Sequence, residues 1–271
     1  MIEKTIGFIG AGRMATALAR GFLSAGLSVA ERVVASDPSQ KARQRFATET
    51  GAEVLSDNRA VAAKSDILVL AVKPQQMVAA LSALRGRVTK DQLIISIAAG
   101  VWLSTLRQEL GEGPRLARVM PNAPALIGRG AAGFCLGPNA TVQDGELVEQ
   151  LLNSVGQAFQ VEEHLLDAVT GLSGSGPAFV YLMIEALSDG GVRTGLPRDV
   201  ATALAVQTVR GAAETVQVTG EHPAVLKDRV ASPGGTTIAG LEALEAGGVR
   251  SGLIAAVVAA TRRSAELGRG S

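Results

Sequence analysis

Gly7-Phe8-Ile9-Gly10-Ala11-Gly12-Arg13-Met14-Ala15 decides the fold of the first half of this chain. Thr5 to Ile9 is a short β-forming run, and an amphipathic helical pattern follows the loop until about Gly26. The stretch from Gly10 to Ala15 fits G-x-G-x-x-G/A between a strand and a helix, which is the setting that the dinucleotide fingerprint requires. Gly10 permits the tight turn, Gly12 lets backbone approach a pyrophosphate, and Ala15 is small enough for helix and strand to pack closely. The free N–H groups of the helix start then face an anion. Gly7, Phe8, Ile9, Gly10, Ala11, Gly12, Arg13 and Met14 are therefore the first candidate cofactor-binding residues.

Strands and helices alternate outward from this loop. Arg32 to Ala35 reads as a strand, Gln40 to Thr50 as a helix stopped by Gly51, and Glu53 to Leu55 as a short strand. Ile67 to Val72 is a continuous apolar run, as expected of a central parallel strand covered on both faces. A helix runs from Pro74 to about Leu84, and Leu93 to Ile97 is another buried strand. Arg115 to Met120 and Ala131 to Leu136 read as strands, and Val142 to Ser154 as a helix. This is the pattern of a doubly wound, mostly parallel α/β sheet, a Rossmann domain over residues 1–161. In such a sheet the ligand lies across the carboxyl ends of the strands, so Ala71, Val72, Lys73 and Pro74, with Ala98, Ala99 and Gly100, join the candidate cofactor site.

The second strand ends at Ser36 and Asp37, beside the expected adenosine ribose. A carboxylate there favours NADH, because it repels a 2′-phosphate. Pro38 follows directly, however, and makes Asp37 a candidate turn opener, while Ser36, Lys41 and Arg43 are near enough in sequence to serve a phosphate. Both NADPH and NADH stay open on these residues.

Past Val161 the short β-rich runs give way to long Ala-rich amphipathic segments: Pro177 to Arg193, Pro197 to Val218, Thr236 to Ala246 and Val249 to Leu267. Proline near the starts and glycine at Gly195, Gly220 and Gly247-Gly248 punctuate them as helices. Residues 162–271 thus read as an all-helical domain. Small side chains at Gly190-Gly191, Gly211-Ala212-Ala213 and Ala255 to Ala260 allow close helix approach and leave too little bulk for a self-contained core, so a homodimer is expected.

Apolar residues make up 47% of the chain, enough for real cores, and aromatics only 3%, too few for base-stacking platforms. With a net charge of +1 and no basic run, no nucleic-acid partner is expected. The longest apolar run, Leu253 to Ala260, is too short to span a bilayer. Glu3 and Lys4 interrupt any signal-like start, so a cytoplasmic location without membrane attachment is expected. Cys135 is the only cysteine and lies in the apolar stretch Gly130 to Leu136. It reads as a small buried hydrophobe, and no thiolate metal cluster can form.

A second glycine loop, Ala231-Ser232-Pro233-Gly234-Gly235-Thr236-Thr237, opens the helical pattern at Ile238. Free N–H groups at such a start bind a carboxylate, with hydroxyls placed beside it; capping by Ser or Thr is the simpler use of the same residues. A third loop, Gly171-Leu172-Ser173-Gly174-Ser175-Gly176-Pro177-Ala178, precedes the first long helix of the second half.

These loops, in this order, together with Ala71 to Pro74, Met120-Pro121-Asn122-Ala123-Pro124, Asp167 to Ala178 and Leu226 to Thr237, resemble the pyrroline-5-carboxylate reductases. The resemblance runs from end to end. It implies an N-terminal Rossmann domain, a C-terminal helical domain that builds a homodimer or a larger assembly of dimers, and hydride reduction of the C=N bond of 1-pyrroline-5-carboxylate to L-proline by NADPH or NADH. It also implies that Ser232, Gly234, Gly235, Thr236 and Thr237 hold the substrate, with Ser175 and Glu163 near it, and that the catalytic hydrogen bond to the imine nitrogen comes from Thr237. Asn58 matches a cofactor-contacting asparagine of the family, and Arg229 stands where some relatives have Asn. His164 and His222, the only histidines, read as helix-start residues, and Tyr181 as packing.

Two other readings are weaker. A hydroxyacid or 6-phosphogluconate-type dehydrogenase needs a mid-helix lysine base in the second domain, whereas Lys227, the only lysine after Lys90, precedes the anion loop. A non-catalytic cofactor sensor has no need of a second anion site.

Overall fold

The computed structural model describes residues 1–269 and divides into two compact units. One is Met1–Ser175 together with the chain from Ala259 on; the other is Gly176–Val258. Compactness therefore places the division some way after the change of character at Val161, because the segment from Glu162 to Ser175 packs with the sheet-bearing unit.

The first unit runs β1 (Ile6–Ile9), α1 (Arg13–Ser24), β2 (Val33–Ser36), α2 (Gln40–Thr50), β3 (Glu53–Leu55), α3 (Asn58–Lys64), β4 (Ile67–Leu70), α4 (Pro74–Leu84), β5 (Leu93–Ser96), α5 (Leu103–Leu110), β6 (Arg115–Met120), β7 (Gly130–Leu136), α6 (Val142–Asn153), β8 (Gly156–Gln160) and the short α7 (Leu166–Val169). The described strands form one eight-stranded sheet in the order β3-β2-β1-β4-β5-β6-β7-β8. The chain starts in the middle and winds first one way and then the other, so the order reverses between β1 and β4. Every neighbouring pair is parallel except β6 with β7.

Side chains alternate across this sheet into two cores. Ile6 and Phe8 of β1 face one core with Leu18 and Phe22 of α1 and Phe46 of α2. The Phe8 ring stands 6.1 Å from that of Phe22 and 5.7 Å from that of Phe46. Ile9 faces the other core with Val61, Leu81 and Leu106 of α3, α4 and α5. The short helix α3 comes so close to β1 that a side chain on Gly7 would collide with Ser65 and Val61.

Several elements go beyond those expected from sequence pattern. α3 is only seven residues long, and its start is marked by Asp57, whose carboxylate accepts from the N–H of Arg59. α5 buries Leu103, Leu106 and Leu110 on one face. β8 extends the sheet beside β7. α10 (Pro223–Val230) adds a short helix to the second half.

Cys135 lies in β7 and is 3% exposed. Burial pushes its thiol up to about 11, and the Glu163 carboxylate adds to the rise. The reactive thiolate is therefore nearly absent at neutral pH. The expected result with a disulfide reagent at pH 8 is no titratable thiol in the native protein and one after denaturation; rapid native reaction would contradict the burial.

The second unit contains α8 (Gly176–Arg193), α9 (Arg198–Thr219), α10, α11 (Thr236–Ala246) and the first part of α12 (Val249–Arg269). Pro197 stands one residue before α9 as its cap. α8 and α9 pack as a hairpin, with the Ser188 and Thr202 hydroxyls 2.8 Å apart and Arg198 paired to Asp189 at 2.5 Å. Among the described residues of this unit only Ser188, Ala201 and Ala205 are buried. Tyr181, Leu182, Leu187, Leu204, Ile238 and Ile254 are exposed instead. Such a face is an interface waiting for a partner. No single described helix is long and apolar enough to cross a membrane. Light scattering at micromolar concentration is expected to give the mass of two chains or a multiple of it, and a monomer would contradict this reading.

Candidate active site

The reversal between β1 and β4 places the Gly10–Gly12 loop and Ala71–Pro74 side by side at the carboxyl ends of adjacent strands. The Ala71 N–H donates to the Ile9 carbonyl at 2.8 Å and the Gly10 N–H to the Ser36 carbonyl at 2.8 Å, so three strand ends are tied together. Gly10 has φ 96°, and a Cβ there would lie 2.8 Å from the Ala71 carbonyl oxygen. Only glycine fits. Gly12, by contrast, opens on space: a Cβ would meet nothing within 4 Å.

Gly12 also caps α1 without any side-chain hydrogen bond, and no acid stands in the first turn. Four other helices begin differently. Ser39 caps α2, Asp57 caps α3, Thr141 caps α6 and His222 caps α10, each with a side-chain acceptor on a backbone N–H. The open start of α1, beside an empty cradle, fits a dinucleotide pyrophosphate.

The other first-half candidates surround this cradle to different degrees. Phe8 and Ile9 have their side chains in the two cores, and Gly7 is covered by α3, so these three shape the loop from beneath. Arg13 is exposed and Met14 packs partly against the core. Ser36, fully buried, donates its hydroxyl to Asn58 Oδ1 at 2.8 Å. Asp37 turns back onto the loop: its Oδ2 accepts from the Ala11 N–H at 2.9 Å and its Oδ1 from the Ser39 N–H at 2.8 Å. It is thus both a turn opener and a carboxylate at the ribose end. Lys73 caps α4 with extended backbone, and Pro74 takes the first helical position. Ala98 is buried, and Gly100 carries φ 75° against the backbone of Gly268.

Glu163 has a structural engagement. Its Oε1 accepts from the Leu103 N–H at 2.7 Å and from Arg118 Nη1 at 3.1 Å, so it caps α5, whose own cap residue Trp102 makes no such bond. Arg118 in turn lies 4.9 Å from the Trp102 ring centre.

The third loop takes one π-helical turn over Thr170–Gly174, a geometry often found at functional sites. Asn122, 8% exposed, clamps it: Nδ2 donates to the Ser173 carbonyl at 3.0 Å while Oδ1 accepts from the Ala131 N–H at 2.9 Å. Nothing in local sequence marks Asn122 beyond its place in Met120–Pro124; the clamp exists because β6 ends and β7 begins beside that turn. Ser175, at the end of the loop, donates its N–H to the Thr170 carbonyl at 2.8 Å.

In the second unit, Ser232, Gly234, Gly235, Thr236 and Thr237 come together at the start of α11. Gly234 has φ 66°, and a side chain on Gly235 would collide with the Ser232 hydroxyl. Gly235 caps α11 with no side-chain hydrogen bond and no acid in the first turn, leaving a second open helix start with hydroxyls beside it. Neither histidine joins it through its own bonds. His222 Nδ1 accepts from the Ala224 N–H, and exposed His164 lies 3.2 Å from Glu162. Arg229 is paired with Glu221 at 2.6 Å.

Comparison with known proteins agrees with this geometry. Residues 5–100 match the family model described as NADP oxidoreductase coenzyme F420-dependent, and residues 163–267 match pyrroline-5-carboxylate reductase dimerisation. A pyrroline-5-carboxylate reductase of Methanosarcina acetivorans is 48% identical over 269 residues, which is 99% of this chain and 100% of that one. Among solved structures, the Coxiella burnetii enzyme superimposes with a TM-score of 0.91 at 34% identity, covering 97% of this chain and 98% of that one. The Plasmodium falciparum enzyme, with NADP bound, gives 0.88 at 35% identity and 99% of both chains. Its sheet order, its two open glycine-led helix starts and this full-length similarity place the chain in the pyrroline-5-carboxylate reductase family.

Proposed function

We propose that this chain reduces 1-pyrroline-5-carboxylate to L-proline with NADPH or NADH, as a homodimer, alone or within a larger assembly of dimers. The observation that carries the reading is the pair of helices, α1 and α11, that begin on glycine with no capping side chain. An enzyme for this reaction needs two anion sites, one for a pyrophosphate and one for a carboxylate. α2, α3, α6 and α10 supply their own caps, and α4 and α9, which also lack a capping side chain, start after Lys73 and Pro197; α1 and α11 differ from all six in having glycine at the cap, which leaves the first N–H groups open to an anion.

The nicotinamide supplies a hydride to the imine carbon, and the nitrogen gains a proton. The residues of the chain bind and orient. The N–H groups of Thr236 and Thr237, with the Ser232 hydroxyl, hold the carboxylate; Gly234 and Gly235 let the backbone come close, and Ser175 adds a polar group to the substrate side. The Thr237 hydroxyl hydrogen-bonds the imine nitrogen, accepting from its N–H in the protonated imine, and so orients the carbon that receives the hydride. No strong acid is assigned to this step. The imine enters protonated, and catalysis comes mainly from proximity and orientation. Glu163 acts at a distance by holding α5 and Arg118. On the cofactor side, the N–H groups of Gly12, Arg13 and Met14 would hold the pyrophosphate, Asp37 and Asn58 would lie at the adenosine ribose, and Ala71–Pro74 with Ala98–Gly100 would line the rest of the nucleotide cleft.

The direct test is oxidation of NADH or NADPH, followed by absorbance, with 1-pyrroline-5-carboxylate at neutral pH. Turnover with formation of proline is expected; cofactor binding without turnover would favour the sensor reading. Thr237→Ala is expected to lower kcat/KM about tenfold, the size of one hydrogen bond of roughly 0.5–1.5 kcal/mol, without abolishing activity. Activity within twofold of the parent would remove Thr237 from the mechanism.

A further inference from the structure

We propose that Asp37 makes this chain select NADH over NADPH, an inference that rests on the dinucleotide reading of the α1 cradle. Asp37 follows directly on the last residue of β2, where an open α/β sheet presents its acid to the adenosine ribose. What distinguishes it here is how firmly the carboxylate is held. Oδ2 accepts from the Ala11 N–H, inside the cofactor loop, and Oδ1 from the Ser39 N–H, across the turn. The side chain cannot swing aside to admit a second anion without breaking both bonds and loosening the loop that takes the pyrophosphate. Each carboxylate oxygen can accept two hydrogen bonds and here accepts one, so each retains one lone pair for a ribose hydroxyl.

Several polar groups around this turn are engaged in the framework. The Ser36 hydroxyl is buried and bonded to Asn58. Arg43 Nη1 donates to the carbonyls of Asp37 and Pro38 at 2.7 and 3.0 Å, bracing the turn from the side. Arg45 Nη2 donates to the Ala11 carbonyl at 3.0 Å. Lys41 is exposed on α2, where solvent screens it. A phosphate brought to this turn meets the charge of Asp37, held in place by two backbone N–H groups, and like charges held together cost affinity.

Trp102, the only tryptophan, lies two residues beyond Gly100, and its fluorescence provides the signal to follow. Titrating the intact protein with NADH and with NADPH at one ionic strength reads binding without turnover. The parent is expected to bind NADH about tenfold more tightly or better, a factor that corresponds to about 1.4 kcal/mol. Asp37→Ser is expected to bring the two dissociation constants together, mainly by tightening NADPH. Asp37→Asn keeps an acceptor for the Ala11 N–H while removing the charge, and is expected to shift the ratio the same way. A melting temperature close to that of the parent separates this effect from loss of the loop. Equal or tighter binding of NADPH by the parent, or an unchanged ratio in Asp37→Asn, would overturn the inference and leave the dinucleotide reading standing. Binding of neither cofactor would overturn both.

Discussion

Parallel pairing of β1 with β2 on one side and β4 on the other is the constraint on which the cofactor end depends. Ile9 aligns with Ser36 and with Leu70, so three strands finish at the same level. Three chain ends leaving one line need room, and Gly10 provides it by turning through a left-handed conformation against the Ala71 carbonyl. α1 then starts over the crevice with its first N–H groups unpaired. Asp37, Arg43 and Arg45 all brace that arrangement through backbone groups of the loop or the turn. The sequence reading placed Arg43 as a cation available to a phosphate; the fold uses it to hold a turn.

The helices of this protein begin in different ways. A helix gains from satisfying its end groups within its own segment, and α2, α3, α6 and α10 do so, whereas α4 and α9 start after Lys73 and Pro197 without a side-chain cap. α5 is satisfied from a distance by Glu163. α1 and α11 forgo that stabilisation, and a bound anion restores it. Binding and local stability are therefore coupled at both ends of the chain.

The helical unit is governed by a different limit. With only Ser188, Ala201 and Ala205 buried among its described residues, it has scarcely any core of its own. Its small side chains, which make close packing of α8 on α9 easy, also deny it bulk. The large apolar residues point outward, and a second chain offers the means to bury them. The end of α12 is anchored within the first unit, where the Ser264 hydroxyl donates to buried Asp167 at 2.6 Å.

Much of this was legible in the sequence because it rests on local rules. The strand-loop-helix around Gly10, the helix from Gln40 to Thr50 ended by Gly51, the strands Glu53–Leu55 and Arg115–Met120, and the helix Thr236–Ala246 follow from periodicity and punctuation within about a dozen residues. The open helix starts follow likewise from glycine at the cap position. Tertiary structure decided what depends on partners distant in sequence. Asp37 faces Ala11, Glu163 caps α5, and Asn122 joins the Ser173 turn to β7, each because the sheet brings together chain ends that no local pattern relates. Short elements such as α3 and β8 belong to the same class, since a two-turn helix or a five-residue strand gains its stability from the surface it covers and not from its own residues.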